Sequence, residues 1–130
     1  KKNNKGFFLY DDKGKVTGEN EEVQNLLPNR KIKMSETDIQ MRVFLPMINE
    51  ASIILDDKIV SKASDVDLAL IFGIGFPPFR GGLLKYADGQ GLDRILDAIN
   101  KYSNTVSDKR YKASEYLINL VDKKIKFYDI

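Results

Sequence analysis

The chain has 130 residues, of which 42% are hydrophobic and 31% charged, and its formal net charge is +2. This length suits one domain with a core of its own, and the composition is that of a globular protein. So small a charge gives no support for nucleic-acid binding, because phosphate backbones select strongly basic surfaces. No apolar run approaches the roughly 20 residues of a membrane-spanning helix. We therefore predict neither a nucleic-acid partner nor a membrane span.

Two residue types are missing, since the chain contains no histidine and no cysteine. Histidine is the commonest general base and a common metal ligand, so Ser–His–Asp triads and histidine-based zinc sites are impossible within this chain. The lack of cysteine excludes disulfides and thiolate metal sites. No metal site is predicted.

The N-terminal stretch "KKNNKGFFLYDDKGK" carries basic residues but no apolar core of a secretory signal. It also lacks an initiator Met, which suggests a fragment or a processed chain, and a cytoplasmic location is predicted. The aromatic run that ends residues 1–10 predicts a short extended segment or the end of an element that began earlier. Residues 11–35 are polar and predict a linker with one short helical turn at 20–27.

The strongest helical signal spans residues 35–58. Ser35 is a good N-cap with Asp38 three positions on, a spacing similar to that of a capping box. Apolar residues recur at helical spacing on one face, at positions 41, 44, 45, 48, 51 and 55. A second apolar face, at positions 39, 43, 47 and 54, predicts burial on more than one side. Pro46 in the middle predicts a kink.

Four more segments show the helical period: 64–73, 81–88, 91–104 and 112–129. Ser64 or Asp65 is predicted to cap the first of these, and Gly73 to end it. The third is amphipathic on 92, 95, 96, 99 and 102, and the fourth on 113, 116, 117, 120, 121 and 125. No long segment alternates with period 2, so an all-α core region is predicted.

The stretch "FGIGFPPFRGG" (72–82) could be a dinucleotide-binding loop or a corner between helices. A dinucleotide loop needs a preceding strand and free N–H groups at the start of the next helix. Here Pro77 and Pro78 have no N–H, and Asp93 lies near the start of a helix rather than at a strand end. The stretch therefore predicts a corner, with Gly81 and Gly82 allowing close backbone approach.

Several side chains near the corner have two interpretations. Arg80 could bind a phosphate or carboxylate, or form a salt bridge to a neighbouring helix. Glu50 is expected to cap or to pair with a basic side chain rather than to act in acid–base chemistry. Tyr86 and Asp88 are expected to pack and to cap, respectively. Core aromatic positions are predicted at Phe72, Phe76 and Phe79.

Two segments together, "MRVFLPMINEA" (41–51) and "ASDVDLALIFGIGFPPFRGGLLKYAD" (63–88), resemble the C-terminal domain of L-3-hydroxyacyl-CoA dehydrogenases. The likeness is strongest to the second copy of that domain in multifunctional fatty-acid oxidation proteins, where "GFPPFxGG" is a signature. "NNKGFFLYD" (3–11) is similar to the "KxGKGFYxY" tail that closes the first copy. The resemblance implies an all-α fold like that of 6-phosphogluconate dehydrogenase C-terminal domains. It also implies that residues 1–11 end a first copy, 12–35 connect, and 36–130 form a second copy.

The resemblance implies an oxidoreductase that passes a hydride from a 3-hydroxyacyl-CoA to NAD while a Glu-oriented His takes the proton. Those residues and the NAD loop belong to a Rossmann domain that this sequence does not contain. An active-site Asn lies in the family pattern "NRLxxP", which aligns with "MRVFLP" here: Arg42 and Pro46 match, but Met41 replaces the Asn. A thioether is a weak acceptor and cannot donate to a substrate carbonyl. No catalytic or cofactor-binding residue is therefore predicted in this chain.

The implied role is a structural one in β-oxidation. The domain would support a preceding copy of itself and a Rossmann domain and help to close the cleft for the acyl-CoA, with the buried faces of helix 35–58 as its interface. Alone, it could form a homodimer. Candidate substrate-binding residues lie at the corner: Pro77, Pro78, Phe79, Arg80, Gly81 and Gly82. The alternative is an independent acyl-CoA-binding helical module that uses Arg80.

Overall fold

The structure is a computed structural model that describes residues 3–27, 33–106 and 109–130. It divides into two compact units, Lys1–Lys33 and Met34–Ile130. Residues 28–32, which belong to the predicted linker, lie outside the described residues.

The first unit is built on a β-hairpin. Strand β1 (Phe8–Tyr10) pairs antiparallel with β2 (Val16–Glu19), with an irregular register between Leu9 and Tyr10. Helix α1 (Glu21–Gln24) follows and lies within the predicted helical turn at 20–27. β2 falls in the stretch interpreted as a linker, because four residues are too few to show a period-2 pattern.

The second unit is helical, which confirms the predicted all-α core region. Its helices are α2 (Glu36–Asp56), α3 (Ala63–Ile74), α4 (Leu83–Gln90), α5 (Leu92–Val106) and α6 (Glu115–Lys123). Short 3-10 turns occur at Pro78–Arg80, Lys109–Tyr111 and Phe127–Asp129. α4 packs against α2, α3 and α5, so the shortest of these helices lies at the centre.

The core gathers one apolar stripe from each helix. Leu83, Leu84 and Ala87 of α4 are fully buried, and they meet Leu45 and Ile48 of α2 in one cluster. The predicted stripe of α5 is confirmed, since its apolar positions are buried or half-buried. Each leucine buried in this way contributes about 1.5–3 kcal/mol to folding.

Helix α2 begins as predicted. The Ser35 hydroxyl accepts a hydrogen bond from the Asp38 N–H at 3.1 Å and donates to the Asp38 carboxylate at 2.7 Å. The expected burial of a second face holds only for the C-terminal half of the helix. Ile54 there is half-buried, whereas Ile39 and Val43 are 50% and 53% exposed.

The predicted boundaries of α3 are wrong at both ends. The helix begins at Ala63 after Lys62, which makes no side-chain cap, so neither Ser64 nor Asp65 caps it. It ends at Gly75 rather than at Gly73. Gly75 takes the left-handed conformation at φ 73°, which glycine adopts without steric cost.

The helix predicted at 112–129 is shorter in the structure. Ser114 caps α6 by accepting from the Leu117 N–H at 3.2 Å, and Lys124 ends the helix in a left-handed conformation. Asp88 accepts from the N–H groups of Phe127 and Tyr128 at 3.0 and 3.2 Å, which confirms its predicted capping role. These bonds fold the C-terminus into a 3-10 turn instead of a continued helix.

Three phenylalanines at the corner were predicted to lie in the core, and this prediction is confirmed for one of them. Phe76 is 4% exposed, whereas Phe72 and Phe79 are 84% and 85% exposed. α3 turns Val66 and Asp67 toward the core, and Phe72 lies outside that buried face.

Candidate functional site

The corner at residues 77–82 turns the chain from α3 into α4. Pro78 begins the 3-10 turn, and its ring fixes φ in the range that such a turn needs. Gly81 and Gly82 follow with φ of 79° and 110°, values that L-residues rarely adopt. The structure thus brings the six predicted corner residues together as one continuous turn.

A buried carboxylate caps the N-terminus of α4. Asp67, 2% exposed on α3, accepts hydrogen bonds from the N–H groups of Leu84 at 2.7 Å and Lys85 at 3.0 Å. These N–H groups belong to the first turn of α4 and have no partner within the helix. A Cβ at residue 82 would overlap the Asp67 side chain, so only glycine fits there. The close approach predicted for Gly82 is confirmed.

The corner does not fit the pyrophosphate of a dinucleotide. A pyrophosphate needs the free N–H groups of a helix N-terminus, and those of α4 already bind Asp67. The element before the glycines is a helix, α3, rather than a strand. The segment is therefore a corner between α3 and α4 rather than a dinucleotide-binding loop, as the sequence predicts.

The C-terminal turn is attached to the same carboxylate. The Tyr128 hydroxyl donates to Asp67 at 2.8 Å, and the Lys85 ammonium lies 4.5 Å from the centroid of the Tyr128 ring. Burial, together with the neighbouring Asp67 carboxylate, raises the pKa of Tyr128 far above its ordinary value. The hydroxyl therefore stays protonated and remains a donor across the physiological pH range.

Two corner side chains reach the surface. Phe79 is largely exposed, and the Arg80 guanidinium lies over the rings of Tyr86 at 5.1 Å and Phe79 at 5.8 Å. Tyr86 packs edge-on against Phe44 at 5.6 Å, as its predicted packing role requires. Within residues 3–27, 33–106 and 109–130, Arg80 forms no ion pair, so the salt bridge to a neighbouring helix is not found there.

The stretch from Met41 to Pro46 makes its polar contacts inside the domain. Met41 is half-buried and packs against the core. The Arg42 guanidinium lies 6.0 Å from the centroid of the Tyr102 ring. Pro46 has no N–H for the Arg42 carbonyl, and the Tyr111 hydroxyl donates to that carbonyl instead, at 3.0 Å.

Sequence reasoning missed an apolar groove of about 590 Å³ between α2, α3 and the Lys109–Tyr111 turn. Its apolar wall includes Pro46, Met47, Ile53, Ile54, Val66 and Leu70. Its rim carries Lys109, Arg110 and Lys112, together with Glu50 of α2. The second apolar face of helix 35–58 was a sequence signal for it, but the basic rim lies some 60 residues further along the chain.

Asn49 fixes the basic rim to α2. Its amide nitrogen donates to the Lys112 carbonyl and its amide oxygen accepts from the Ser114 N–H, both at 2.8 Å. Asn49 is 5% exposed, so these bonds are shielded from water. In the described part of the chain, the ion pair predicted for Glu50 is absent.

Among the residues that the structure describes, no helix has the length and apolar character needed to cross a membrane.

The chain is similar to known proteins over the segments described above. The family model for "3-hydroxyacyl-CoA dehydrogenase, C-terminal domain" matches residues 39–126. Over 130 residues the chain is 38% identical to "Fatty acid oxidation complex subunit alpha" of Vibrio vulnificus, covering 99% of this chain and 18% of that protein. It is 37% identical to "Peroxisomal fatty acid beta-oxidation multifunctional protein" of Oryza sativa, covering 90% and 17%. The chain thus spans less than a fifth of the length of these relatives.

Proposed function

The chain belongs to the 3-hydroxyacyl-CoA dehydrogenase C-terminal domain family, and from this membership we propose a specific role. It is a noncatalytic domain that supports the catalytic domain and the acyl-CoA cleft of an NAD-dependent L-3-hydroxyacyl-CoA dehydrogenase of fatty-acid β-oxidation. NAD binds to the Rossmann domain of the longer enzyme and not to this chain. The enzyme works in the cytoplasm.

The observation that carries the proposal is the arrangement of residues 41–46. Met41 takes the place of the active-site Asn that the family resemblance implies, and its side chain packs against the core. Arg42, which matches the family pattern, lies over the Tyr102 ring. A position without a hydrogen-bond donor cannot polarise a substrate carbonyl, so this copy of the domain has no part in the chemistry.

The exposed face of α2 supports this role. Ile39 and Val43 lie one turn apart and are half-exposed. Exposed apolar side chains that are neighbours on one helix favour contact with another protein surface. We assign this face to the preceding copy of the domain.

The corner is the part of the domain proposed to reach the acyl-CoA. Phe79 and Arg80 offer an exposed ring and a cation, while Pro77, Pro78, Gly81 and Gly82 set the backbone that presents them. A guanidinium suits a phosphate of coenzyme A better than an ammonium does, because its planar fork can donate two hydrogen bonds at once.

A graft tests this function. The matching region of the Vibrio vulnificus relative is deleted in one version and replaced by residues 36–130 of this chain in another, and NADH formation from a 3-hydroxyacyl-CoA is measured. We expect the graft to restore the turnover that the deletion removes, and this chain alone to form no NADH. Turnover by the isolated chain, or full activity of the deletion, would refute the proposal.

A further inference from the structure

The outward face of α3 is exposed along its whole length. Its exposed residues recur at helical spacing, as Asp65, Leu68, Ala69, Phe72 and Gly73. We propose that four of them, Leu68, Ala69, Phe72 and Gly73, form a stripe that pairs antiparallel with the same stripe of a second copy of this chain. The two copies are related by a twofold axis. This pairing goes beyond the proposed function and does not rest on it.

α3 is apolar on two opposite sides. The inward side meets the core at Val66, whereas the outward side carries Leu68 and Phe72, one turn apart and 51% and 84% exposed. No charged residue occurs in the sequence between Leu68 and Gly73. A helix that is apolar all round is normally buried all round, so the outward side favours contact with another protein surface.

The stripe is complementary to itself in shape, because large and small residues alternate along it. In an antiparallel pair with the axis between residues 70 and 71, Phe72 faces Ala69 of the second copy and Leu68 faces Gly73. The twofold axis repeats both contacts. Each large side chain therefore packs over a small residue, which is the ridge-into-groove arrangement of packed helices.

Gly73 supports this pairing because the fold of one copy does not require glycine there. A Cβ added at residue 73 would meet nothing within 4 Å, and Gly73 is not among the residues with positive φ. Glycine weakens a helix relative to alanine. A second helix packed closely over this position would use the missing side chain, since glycine permits close approach.

Charge favours the antiparallel over the parallel arrangement. Asp65 lies at the N-terminal end of the stripe, and Arg80 lies in the corner beyond its C-terminal end. Within the described part of the chain, neither side chain forms an ion pair. Antiparallel pairing brings Asp65 of each copy toward the Arg80 end of the other, whereas parallel pairing would bring two Asp65 carboxylates together. Arg80 can serve this carboxylate or the phosphate proposed above, but not both at once.

The exposed apolar area suits a reversible dimer. Ile74 and Phe79, 66% and 85% exposed, extend the apolar surface beyond the stripe. Together with Leu68 and Phe72 they expose on the order of 500 Å² in each copy, or about 1,000 Å² in a pair. This area lies at the lower limit of specific interfaces, so we expect a dissociation constant on the order of 10 μM.

The test is sedimentation equilibrium of the whole 130-residue chain across concentrations that bracket this dissociation constant. We expect one reversible monomer–dimer equilibrium. A chain that stays monomeric well above the expected dissociation constant would overturn the proposal. Larger assemblies would also overturn it, because an interface with twofold symmetry closes at two copies.

Two substitutions locate the interface. G73L fills the gap proposed for Leu68 and is expected to weaken the dimer at least tenfold, while the monomer melts no earlier than the natural chain because residue 73 adjoins open space. F72E should weaken it at least a hundredfold, and the matched control L26E, at a residue 82% exposed, less than twofold. An unchanged dimer in G73L, or equal losses in F72E and L26E, would overturn the assignment to α3.

A charge exchange tests the direction of the pairing. D65R and R80D should each weaken the dimer at least fivefold, and D65R/R80D should recover the natural dissociation constant to within twofold, because the opposite charges meet again. Failure of the double variant to recover would overturn the antiparallel arrangement. The graft experiment on turnover is independent of these measurements, so loss of the pairing leaves the supporting role intact.

Discussion

The Tyr111 hydroxyl donates to the backbone carbonyl of Arg42 at 3.0 Å and so completes a helix that a proline interrupts. In an unbroken helix this carbonyl accepts from the N–H four residues later, where α2 has Pro46. Tyr111 is buried, and its ring stacks on that of Tyr102 with centroids 5.4 Å apart. The Lys109–Tyr111 turn is thereby attached to the middle of α2, beside the groove.

Removing this hydroxyl leaves the half-buried Arg42 carbonyl without its hydrogen-bond partner. We expect Y111F to lower the free energy of unfolding by about 1–3 kcal/mol. In a P46A background the same change should cost less than about 0.5 kcal/mol, because the backbone N–H that this substitution introduces can donate to the Arg42 carbonyl. Urea unfolding of the four proteins in this cycle measures the coupling. Equal costs in both backgrounds would contradict the assignment.

Replacing Gly82 or Gly89 of the α4 segment with alanine is expected to change the free energy of unfolding in opposite directions. G82A should lower the free energy of unfolding by more than about 2 kcal/mol, since the new Cβ overlaps Asp67 at a strained φ. G89A, in the last turns of α4, meets nothing within 4 Å and should raise it by about 0.5–1 kcal/mol. Thermal melting compares the two. A neutral G82A would show that α4 does not approach α3 in this way.

We expect the contribution of the Asp88 carboxyl to the free energy of unfolding to fall as pH rises. Burial is the main cause that raises the pKa of Asp88 above its ordinary value of 3.8. The folded state therefore binds the Asp88 proton more tightly than the unfolded state does, and stability from this group is lost as pH rises from 3.8 through the folded-state pKa. We expect the free energy of unfolding of D88N, relative to that of the natural protein, to rise as pH increases above 3.8, as measured by urea unfolding.

Asp38 serves as a control, because its pKa is shifted in the opposite direction to that of Asp88. Its hydrogen bond with Ser35 is the main cause that lowers its pKa below 3.8. Stability from this group is present above pH 3.8 and is lost as pH falls through the folded-state value. The difference in the free energy of unfolding between D38N and the natural protein should therefore change with pH in the opposite direction to the difference for D88N. If the two variants showed the same direction of pH dependence, the assignment for one of the two carboxyls would be contradicted.

The sequence was sufficient where local signals decide the structure. Ser35 and Asp38 predict the start of α2, and the periodic apolar residues of α5 predict its buried face. Prolines without N–H groups were enough to predict a corner rather than a dinucleotide loop at residues 72–82. Each of these features depends on residues within a few positions of one another.

Features set by distant residues were not predictable. Asp67 caps α4 from 17 positions earlier, and Asp88 folds the C-terminus from 39 positions earlier, which shortens α6 against its helical pattern. The groove needs α2 and the Lys109–Tyr111 turn side by side, and only the tertiary fold brings them together. Phe72 was expected in the core because apolar character alone does not tell which face of α3 is buried.

Turnover of the grafted dehydrogenase measures the central claim, that this domain supports catalysis without taking part in it. We expect M41L, which keeps the packing volume, to leave both kcat and the melting temperature unchanged. I39E/V43E, on the exposed face of α2, should lower both, because charges enter the proposed interface. Loss of kcat in M41L at an unchanged melting temperature, or full activity and stability in I39E/V43E, would contradict the account.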